Sequence, residues 1–179
     1  MSKNGLILLK PTTVDKTGTS ATISANGSVE FTSCSSLSLN GVFSANYDNY
    51  MIVTRGNVTT PANVFIRFRD NGSDDSTSNS YVYQYMVASS TGVAGSRTTL
   101  NLGGFFLAYA NQRVGSVGFI YGPYLSQPTA YRTINVDDNG TASIQEYGGT
   151  HNQSDSYDGF TLSNGGNLSG RIAVYGMRK

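Results

Sequence analysis

The sequence predicts an all-β protein, either an antiparallel sandwich or a barrel. Segments of strand length recur along the chain, apolar and polar residues alternate within them, and turns rich in Gly and Asn separate them. We find no stretch with a helical period and no repeat of fixed length. The segment Gly170–Met177 alternates in the same way near the end of the chain, where a strand frays unless a sheet holds it. We therefore expect this segment to be a central strand.

Length and composition restrict the class of protein. A chain of 179 residues is one domain of ordinary size, and it can bury a core. Charged residues make up 13% of the chain, well below the usual ~25%, and the net charge is +1. Such a surface has no electrostatic footprint for nucleic acid or an anionic membrane, so we expect neither as a partner. Cys34 is the only cysteine, which excludes an intrachain disulfide, and we expect it to be a small buried hydrophobe.

The first 27 residues differ from the rest of the chain. A short apolar run stands near their start: Leu6, Ile7, Leu8 and Leu9. Two interpretations of residues 1–27 stay open, namely a first strand of the sandwich and an N-terminal arm that docks on a neighbouring subunit. Residues 28–179 are then the β-sandwich domain. The apolar run is too short for the core of a signal peptide, so we expect synthesis in a cytoplasm.

Three segments of the sandwich domain show strand alternation clearly. Tyr50–Arg55 ends at a Gly-Asn turn, and Arg113–Tyr121 is spaced by glycines. In Asn63–Asp70, apolar residues at every second position predict one buried face: Val64, Ile66 and Phe68. These segments supply the apolar face that a sandwich needs.

The strongest predicted hairpin runs from Tyr131 to Tyr147, because two alternating stretches flank the turn residues Asp137 to Gly140. Leu100–Ala110 is ambiguous, and a short helix stays an alternative there. Ser73–Ser80 and Gly148–Ser156 are polar, so we expect them to be exposed loops.

The sequence offers no convincing catalytic constellation, and we predict no enzyme activity, no cofactor and no metal site. The single histidine, His151, stands in a polar segment, and we expect an exposed loop residue. Glycoside hydrolysis needs two carboxyl groups around one bond, and Glu30 and Glu146 are the only glutamates, so an aspartate would have to contribute. Three aspartates of one loop offer oxygen ligands for Ca²⁺ without the spacing of an EF-hand: Asp70, Asp74 and Asp75.

Tyrosines occupy alternate positions of one predicted strand: Tyr81, Tyr83 and Tyr85. Because Val82 and Met86 take the opposite face, we expect the tyrosine row to face outward. Aromatic rows fill cores and subunit interfaces, or stack on sugar rings and bases. We rank subunit packing above ligand binding, so the candidate subunit or particle contacts are this row and the apolar run Leu6 to Leu9.

Two stretches resemble the small jelly-roll modules of tailed-bacteriophage virion proteins. Asn40–Val53 looks like their loop, aromatic-x-x-Tyr and hydrophobic strand, and Ile172–Met177 looks like their aliphatic-Tyr-Gly-aliphatic terminus. With Asn63–Asp70 between these stretches, the resemblance spans about Ser28 to Lys179. It implies an antiparallel jelly-roll-like β-sandwich in a virion structural protein, commonly a homotrimer. It implies no catalytic residue.

The resemblance makes a trimeric capsid decoration (cement) protein the first hypothesis, because one small domain with a short arm suffices for a capsid ornament. Its partners are then copies of itself and other virion proteins, such as the major capsid protein or a tail protein, and its location is the virion. A tail or tail-fibre component that contacts the host receptor is one alternative. A carbohydrate-binding β-sandwich module or glycan-cleaving enzyme is another, and it requires a cleft at the tyrosine row or at Asp70–Asp75.

Overall fold

A computed structural model of the protein describes residues 5–89, 92–137 and 143–179, and these residues contain thirteen β-strands and no helix. The strands are β1 (Leu6–Leu9), β2 (Thr13–Ile23), β3 (Val29–Asn40), β4 (Asn49–Val58), β5 (Ala62–Asp70), β6 (Ser73–Asp74), β7 (Tyr81–Ser89), β8 (Gly92–Leu100), β9 (Gly103–Ala108), β10 (Arg113–Tyr121), β11 (Thr129–Asp137), β12 (Ser143–His151) and β13 (Gly159–Met177). The predicted all-β antiparallel class is confirmed. The described part of the chain holds no helix that could cross a membrane.

The strands form one continuous sheet that folds over into two layers. The larger layer has the order β13-β4-β10-β11-β12-β7-β8. The smaller layer consists of β5, β6, β9 and the first part of β13, and β9 packs across β10, β11, β12 and β7. Beyond β13, β3 and β2 continue the sheet. The architecture is a β-sandwich consistent with a jelly roll.

The strand β13 belongs to both layers. Its residues from Gly159 to Asn164 pair with β5, and those from Leu168 to Met177 pair with β4. Its other edge pairs with β3 as far as Ile172 and then with β1. Register shifts around Leu168 mark the point where β13 passes from one layer to the other. The prediction that the last strand is central is confirmed.

The described part of residues 1–27 is paired within the sheet of its own chain. The strand β1 pairs with β13, with Leu6 opposite Met177 and Leu9 opposite Val174. The strand β2 pairs with β3 along most of its length.

The core lies between the two layers. Val64, Ile66 and Phe68 are fully buried, which confirms the predicted inner face of β5, and Cys34 is also buried. The Tyr50 hydroxyl accepts a hydrogen bond from the Ser44 amide (2.7 Å), so it fixes the loop before β4 from inside the core.

A buried arginine holds β5 against its neighbours on the face opposite Phe68. The Arg69 guanidinium donates to Asn40 Oδ1 (3.0 Å) and to Thr161 Oγ1 (2.7 Å), and it forms an ion pair with Asp74. A buried charge persists only with such partners, because an unpaired one costs several kcal/mol. The expected exposed loop Ser73–Ser80 is therefore wrong in part, since Asp74 belongs to this cluster and Ser80 is fully buried.

The ambiguous segment Leu100–Ala110 contains the strand β9 and no helix. Phe105 and Phe106 are both fully buried, as a strand that lies across the larger layer requires. The predicted hairpin is present as the paired strands β11 and β12, and residues 138–142 of its turn lie outside the described residues.

Two glycines at the start of β9 leave room for tyrosine rings of the larger layer. A Cβ atom on Gly104 would lie 2.5 Å from Tyr83 Cε2 and 3.0 Å from Tyr147 Cδ1. A Cβ on Gly103 would lie 2.3 Å from the Tyr131 hydroxyl oxygen. The glycine pair is thus a packing requirement of the core.

We expect Gly104→Ala to lower the free energy of unfolding by about 1–3 kcal/mol, because the added methyl group overpacks two buried rings. Gly148→Ala is the matched control, since a Cβ there meets no atom within 4 Å. Urea unfolding of both variants tests this prediction. Equal stability of the two variants would contradict it.

Candidate functional site

The outward side of the larger layer carries exposed aliphatic side chains on four adjacent strands, β11, β12, β7 and β8. We call them the aliphatic patch: Met86, Val93, Ile134, Val136 and Ile144. Their exposed fractions range from 39% for Ile134 to 73% for Val93. Soluble proteins rarely leave contiguous aliphatic surface in water unless it serves an interaction.

The strand register puts the patch on one face. Val136 pairs with Ile144, and the row continues through Ala88 to Val93. Residues directly opposite each other on neighbouring strands point to the same side of a sheet. In the next outward-facing row, two residues along β12 from Ile144, Glu146 pairs with Ile134 on one side and with Met86 on the other.

The residues that alternate with the patch are polar and buried, which reverses the usual pattern of a sandwich strand. They are Thr133, Asn135, Asp137, Ser143 and Gln145. The strand β9 pairs with β5 alone among the described strands, so its second edge needs other hydrogen-bond partners.

The buried polar side chains supply those partners. The Leu107 amide donates to Gln145 Oε1 (3.2 Å), and Asn135 Nδ2 donates to the Leu107 carbonyl (3.4 Å). The Thr133 hydroxyl donates to the Phe105 carbonyl. Because these polar groups must face β9, the aliphatic residues between them face water.

The patch carries no net charge. Within the same face, Arg132 Nε and Glu146 Oε1 form an ion pair at 2.7 Å. The two charges cancel, and a further charge of this face, Arg97 of β8, lies beside Met86 and Glu146. The surface is therefore suited to packing against another copy or another apolar protein surface.

The apolar run of β1 lies at the far side of the same layer. Leu8 pairs with Tyr175, and Leu6, which is 45% exposed, pairs with Met177. Leu9 packs against the core, and Ile7 lies opposite Gly176. Leu6 and Leu8 therefore share the outward face with the patch.

The expected outward orientation of the tyrosine row is wrong. Tyr81 is fully buried, Tyr83 is 7% exposed, and the Tyr85 ring stacks on Tyr147 at a centroid distance of 5.4 Å. The Tyr81 hydroxyl accepts a hydrogen bond from the Phe68 amide (2.9 Å), so it satisfies backbone of the smaller layer. Met86 of the same strand is exposed instead.

The expectation of an exposed histidine is also wrong. His151 ends β12 and is fully buried, with its ring 4.1 Å from that of Tyr81. Its Nδ1 lies 3.2 Å from the Tyr157 hydroxyl, and its Nε2 lies 3.3 Å from Asp75 Oδ2 without a hydrogen bond. The cluster is a core contact, because His151 has no surface that a substrate could reach.

Burial lowers the pKa of His151, and the nearby carboxylate of Asp75 opposes this shift without reversing it. Burial raises the pKa of Asp75, but hydrogen bonds from the Thr77 amide and the Tyr157 hydroxyl lower it to a net value below the usual one. The cluster therefore pairs a neutral imidazole with a carboxylate at neutral pH.

The remaining candidate carboxylates are dispersed or paired. Glu30 on β3 and Glu146 on β12 are separated by five strand intervals, roughly 24 Å, whereas a glycosidase pair is within about 10 Å. Asp74 pairs with Arg69, and Asp75 accepts from Tyr157. Among the described residues, no group of three or more His, Cys, Asp or Glu side chains is arranged to hold a metal ion.

The sequence missed the aliphatic patch because its residues alternate as core residues do. Ile134 and Val136 look like the inward face of a strand until the partners of Thr133 and Asn135 are known. The Gly103-Gly104 pair is a signal in the sequence for the inward tyrosines instead, since adjacent glycines in a strand mark a close approach of bulky side chains.

No protein-family model and no curated protein matches the chain. Weak likenesses to solved structures include two carbohydrate-binding modules. The CBM2 module of the evolved Dit of Lactobacillus casei BL23 phage J-1 has a TM-score of 0.32 and 11% identity, over 94% of this chain and 92% of that chain. CBM35 from Paenibacillus barcinonensis has a TM-score of 0.23 and 12% identity, over 97% and 94%.

A further likeness is to SCLam, a non-specific endo-β-1,3(4)-glucanase of family GH16, with a TM-score of 0.25 and 10% identity, over 81% of this chain and 63% of that chain. Because every one of these TM-scores lies below 0.5, the likenesses establish neither a shared fold nor a shared function.

We expect the free energy of unfolding to decrease as the pH falls from about 7.5 to 5.5, because the unfolded chain binds a proton at His151 before the folded chain does. The stabilisation that comes from the neutral, buried His151 is complete above pH 6.5, the ordinary pKa of histidine. It is lost as the pH falls from there through the lowered pKa of His151 in the folded chain. Urea unfolding across this range measures it. His151→Gln, which removes the only histidine, should flatten the dependence. An unchanged slope in that variant would assign the effect to other groups.

Proposed function

We propose that this protein is a non-enzymatic structural protein of a bacteriophage virion, and that it forms a homotrimer through the aliphatic patch. The observation that carries the proposal is the reversed pattern of β11 and β12. Polar side chains hydrogen-bond β9 inside the core, and Ile134, Val136 and Ile144 face water. A partner that covers this face removes the cost of that exposure.

Burial of the patch favours assembly. Covering one large aliphatic side chain contributes about 1.5–3 kcal/mol when it passes from full exposure to full burial. The five residues of the patch are 39–73% exposed, so their combined contribution is several kcal/mol per subunit. High local concentration of subunits in a particle adds to this by mass action.

Another copy of the chain is the partner that this surface suits. The patch is apolar, the Arg132–Glu146 ion pair beside it is neutral, and Arg97 adds one positive charge at its edge. In a closed ring of three, different parts of each copy's surface meet, because a surface that packs on its own copy gives a two-fold dimer. The trimeric state itself comes from the resemblance to virion jelly-roll modules.

The specific role that we propose is capsid decoration on the phage head, with the major capsid protein as the second partner. A tail or tail-fibre component is the alternative role for the same assembly. Of the two sites that the carbohydrate-binding alternative requires, the tyrosine row is inside the core. The other stays available, because Asp70, Asp74 and Asp75 line an open cavity of about 650 Å³.

We expect the wild-type chain to sediment as a trimer of 19.1 kDa subunits at micromolar concentration and Ile144→Lys to sediment as a monomer. Thr150→Lys is the matched control, because it adds the same charge to the same face of the same strand, outside the patch. Analytical ultracentrifugation of the three proteins provides the measurement. A monomeric wild type, or a trimeric Ile144→Lys variant, would contradict assembly through the patch.

We expect antibodies against the protein, coupled to gold, to label the heads of intact phage particles in electron micrographs. Label on the tail end alone would replace decoration with the tail role. Particles that stay unlabelled, while the purified protein binds the antibody, would contradict a virion function.

A further inference from the structure

Three arginines of neighbouring strands point to the outward side of the larger layer and share one groove. The groove has a volume of about 740 Å³, and we call it the arginine groove after its charged side chains, which two asparagine amides accompany: Glu30, Arg55, Asn57, Asn111, Arg113 and Arg171. It lies on β3, β13, β4 and the start of β10, across the sheet from the most exposed part of the aliphatic patch.

The register places two of the arginines directly opposite each other. Arg171 of β13 pairs with Arg55 of β4, and Arg113 of β10 pairs with Asn57, two residues further along β4. Side chains at directly opposed positions have Cβ atoms about 4.5–5.5 Å apart, and like charges there destabilise a sheet.

No carboxylate of the described residues forms an ion pair with the opposed arginines. None of their aspartate or glutamate oxygens lies within 4.0 Å of a nitrogen of Arg55 or Arg171. Glu30 is opposite Arg171 in the register, yet it makes no ion pair with it. Arg171 Nε donates to the neutral Ser28 hydroxyl (2.9 Å).

Glycines bring the two arginine-bearing strands together. Gly170 and Gly56 pair with each other beside the arginines, and a Cβ on Gly170 would lie 2.1 Å from the Arg55 carbonyl oxygen. Gly115, which pairs with Arg55 on its other side, has open space where a side chain would be. The close backbone approach thus keeps the two guanidinium-bearing residues near each other, and the absent side chain at Gly115 leaves open space beside Arg55.

We propose that the arginine groove binds an anionic polysaccharide, with Arg55 and Arg171 clamping one acid group of a sugar unit. Two guanidinium groups that face one anion relieve their mutual repulsion, and each presents a planar fork that matches a carboxylate. The amides of Asn57 and Asn111 offer donors and acceptors for neighbouring hydroxyl groups.

The remaining lining distinguishes a sugar polymer from a nucleic acid or polyphosphate. Glu30 accepts hydrogen bonds from the hydroxyl groups of sugar units, which a polyphosphate chain lacks. The only aromatic residue of the lining, Phe31, is 3% exposed and offers no ring for base stacking. The net charge of +1 also gives no extended basic surface.

Binding of alginate, a polymer of uronic acids, tests the proposal on the full chain by isothermal titration calorimetry. We expect alginate to bind, neutral dextran not to bind, and the alginate affinity to fall as NaCl is added. Arg55→Gln and Arg171→Gln should each weaken alginate binding about tenfold or more, since each removes charged hydrogen bonds. Arg97→Gln, an equal charge loss on exposed β8 of the same layer, should leave binding unchanged.

Thermal unfolding keeps the result interpretable. Arg55→Gln should unfold at the wild-type temperature or above it, because it removes one of two opposed like charges. Arg171→Gln also loses the hydrogen bond to Ser28, so it should unfold at a lower temperature than Arg55→Gln and still be folded at the assay temperature. Ile144→Lys should retain alginate binding, so the groove and the assembly proposal are tested separately. Equal binding of dextran, tighter binding of polyphosphate than of alginate, absence of alginate binding, or folded Arg55→Gln and Arg171→Gln proteins with wild-type affinity would each overturn the proposal.

Discussion

The hydrogen bonds between β9 and the side chains of β11 and β12 determine which surfaces this molecule shows to water. The edge of β9 lies inside the sandwich, where its backbone groups have no strand beside them among the described residues. Thr133, Asn135 and Gln145 satisfy those groups, and the alternation of a strand then turns their aliphatic neighbours outward. A local requirement for backbone partners thus creates an apolar surface about one layer away. The proposed assembly buries that surface and so removes the unfavourable exposure of its aliphatic side chains to water.

Local pattern was sufficient for the elements whose apolar residues form the core. The inner face of β5, the β11–β12 hairpin and the central position of the last strand were all predicted from alternation and turn residues. The outward surfaces were not predictable in the same way, because they depend on partners that are distant in sequence. Gln145 is buried because its side chain accepts a hydrogen bond from the Leu107 amide, and Asp74 is partly buried because it forms an ion pair with Arg69. The tyrosine row and His151 were misplaced for the related reason that a hydroxyl or imidazole satisfied in the core looks like a surface group in the sequence.

The larger layer combines two kinds of surface on one side. Reading across the strands from β3 to β8, one register row begins with Glu30, Arg171 and Arg55 and ends with Ile144, Ala88 and Val93. Gly115 is the one residue of this row between Arg55 and Val136, where the aliphatic patch begins. An assembly that covers the aliphatic end leaves the arginine end at its border. The two proposed surfaces are therefore compatible within one particle.

The position of β13 also has a consequence for the order of events during translation. The strands β1, β3, β4 and β5 are synthesised well before residues 159–177, the partner that all four share. Leu6, for example, pairs with Met177, which is synthesised near the other end of this sequence. Pairings of such high sequence separation slow folding, so the nascent chain carries unpaired apolar strands until residues 159–177 have left the ribosome. A ribosome that stops before residue 159 releases a chain that cannot join its two layers.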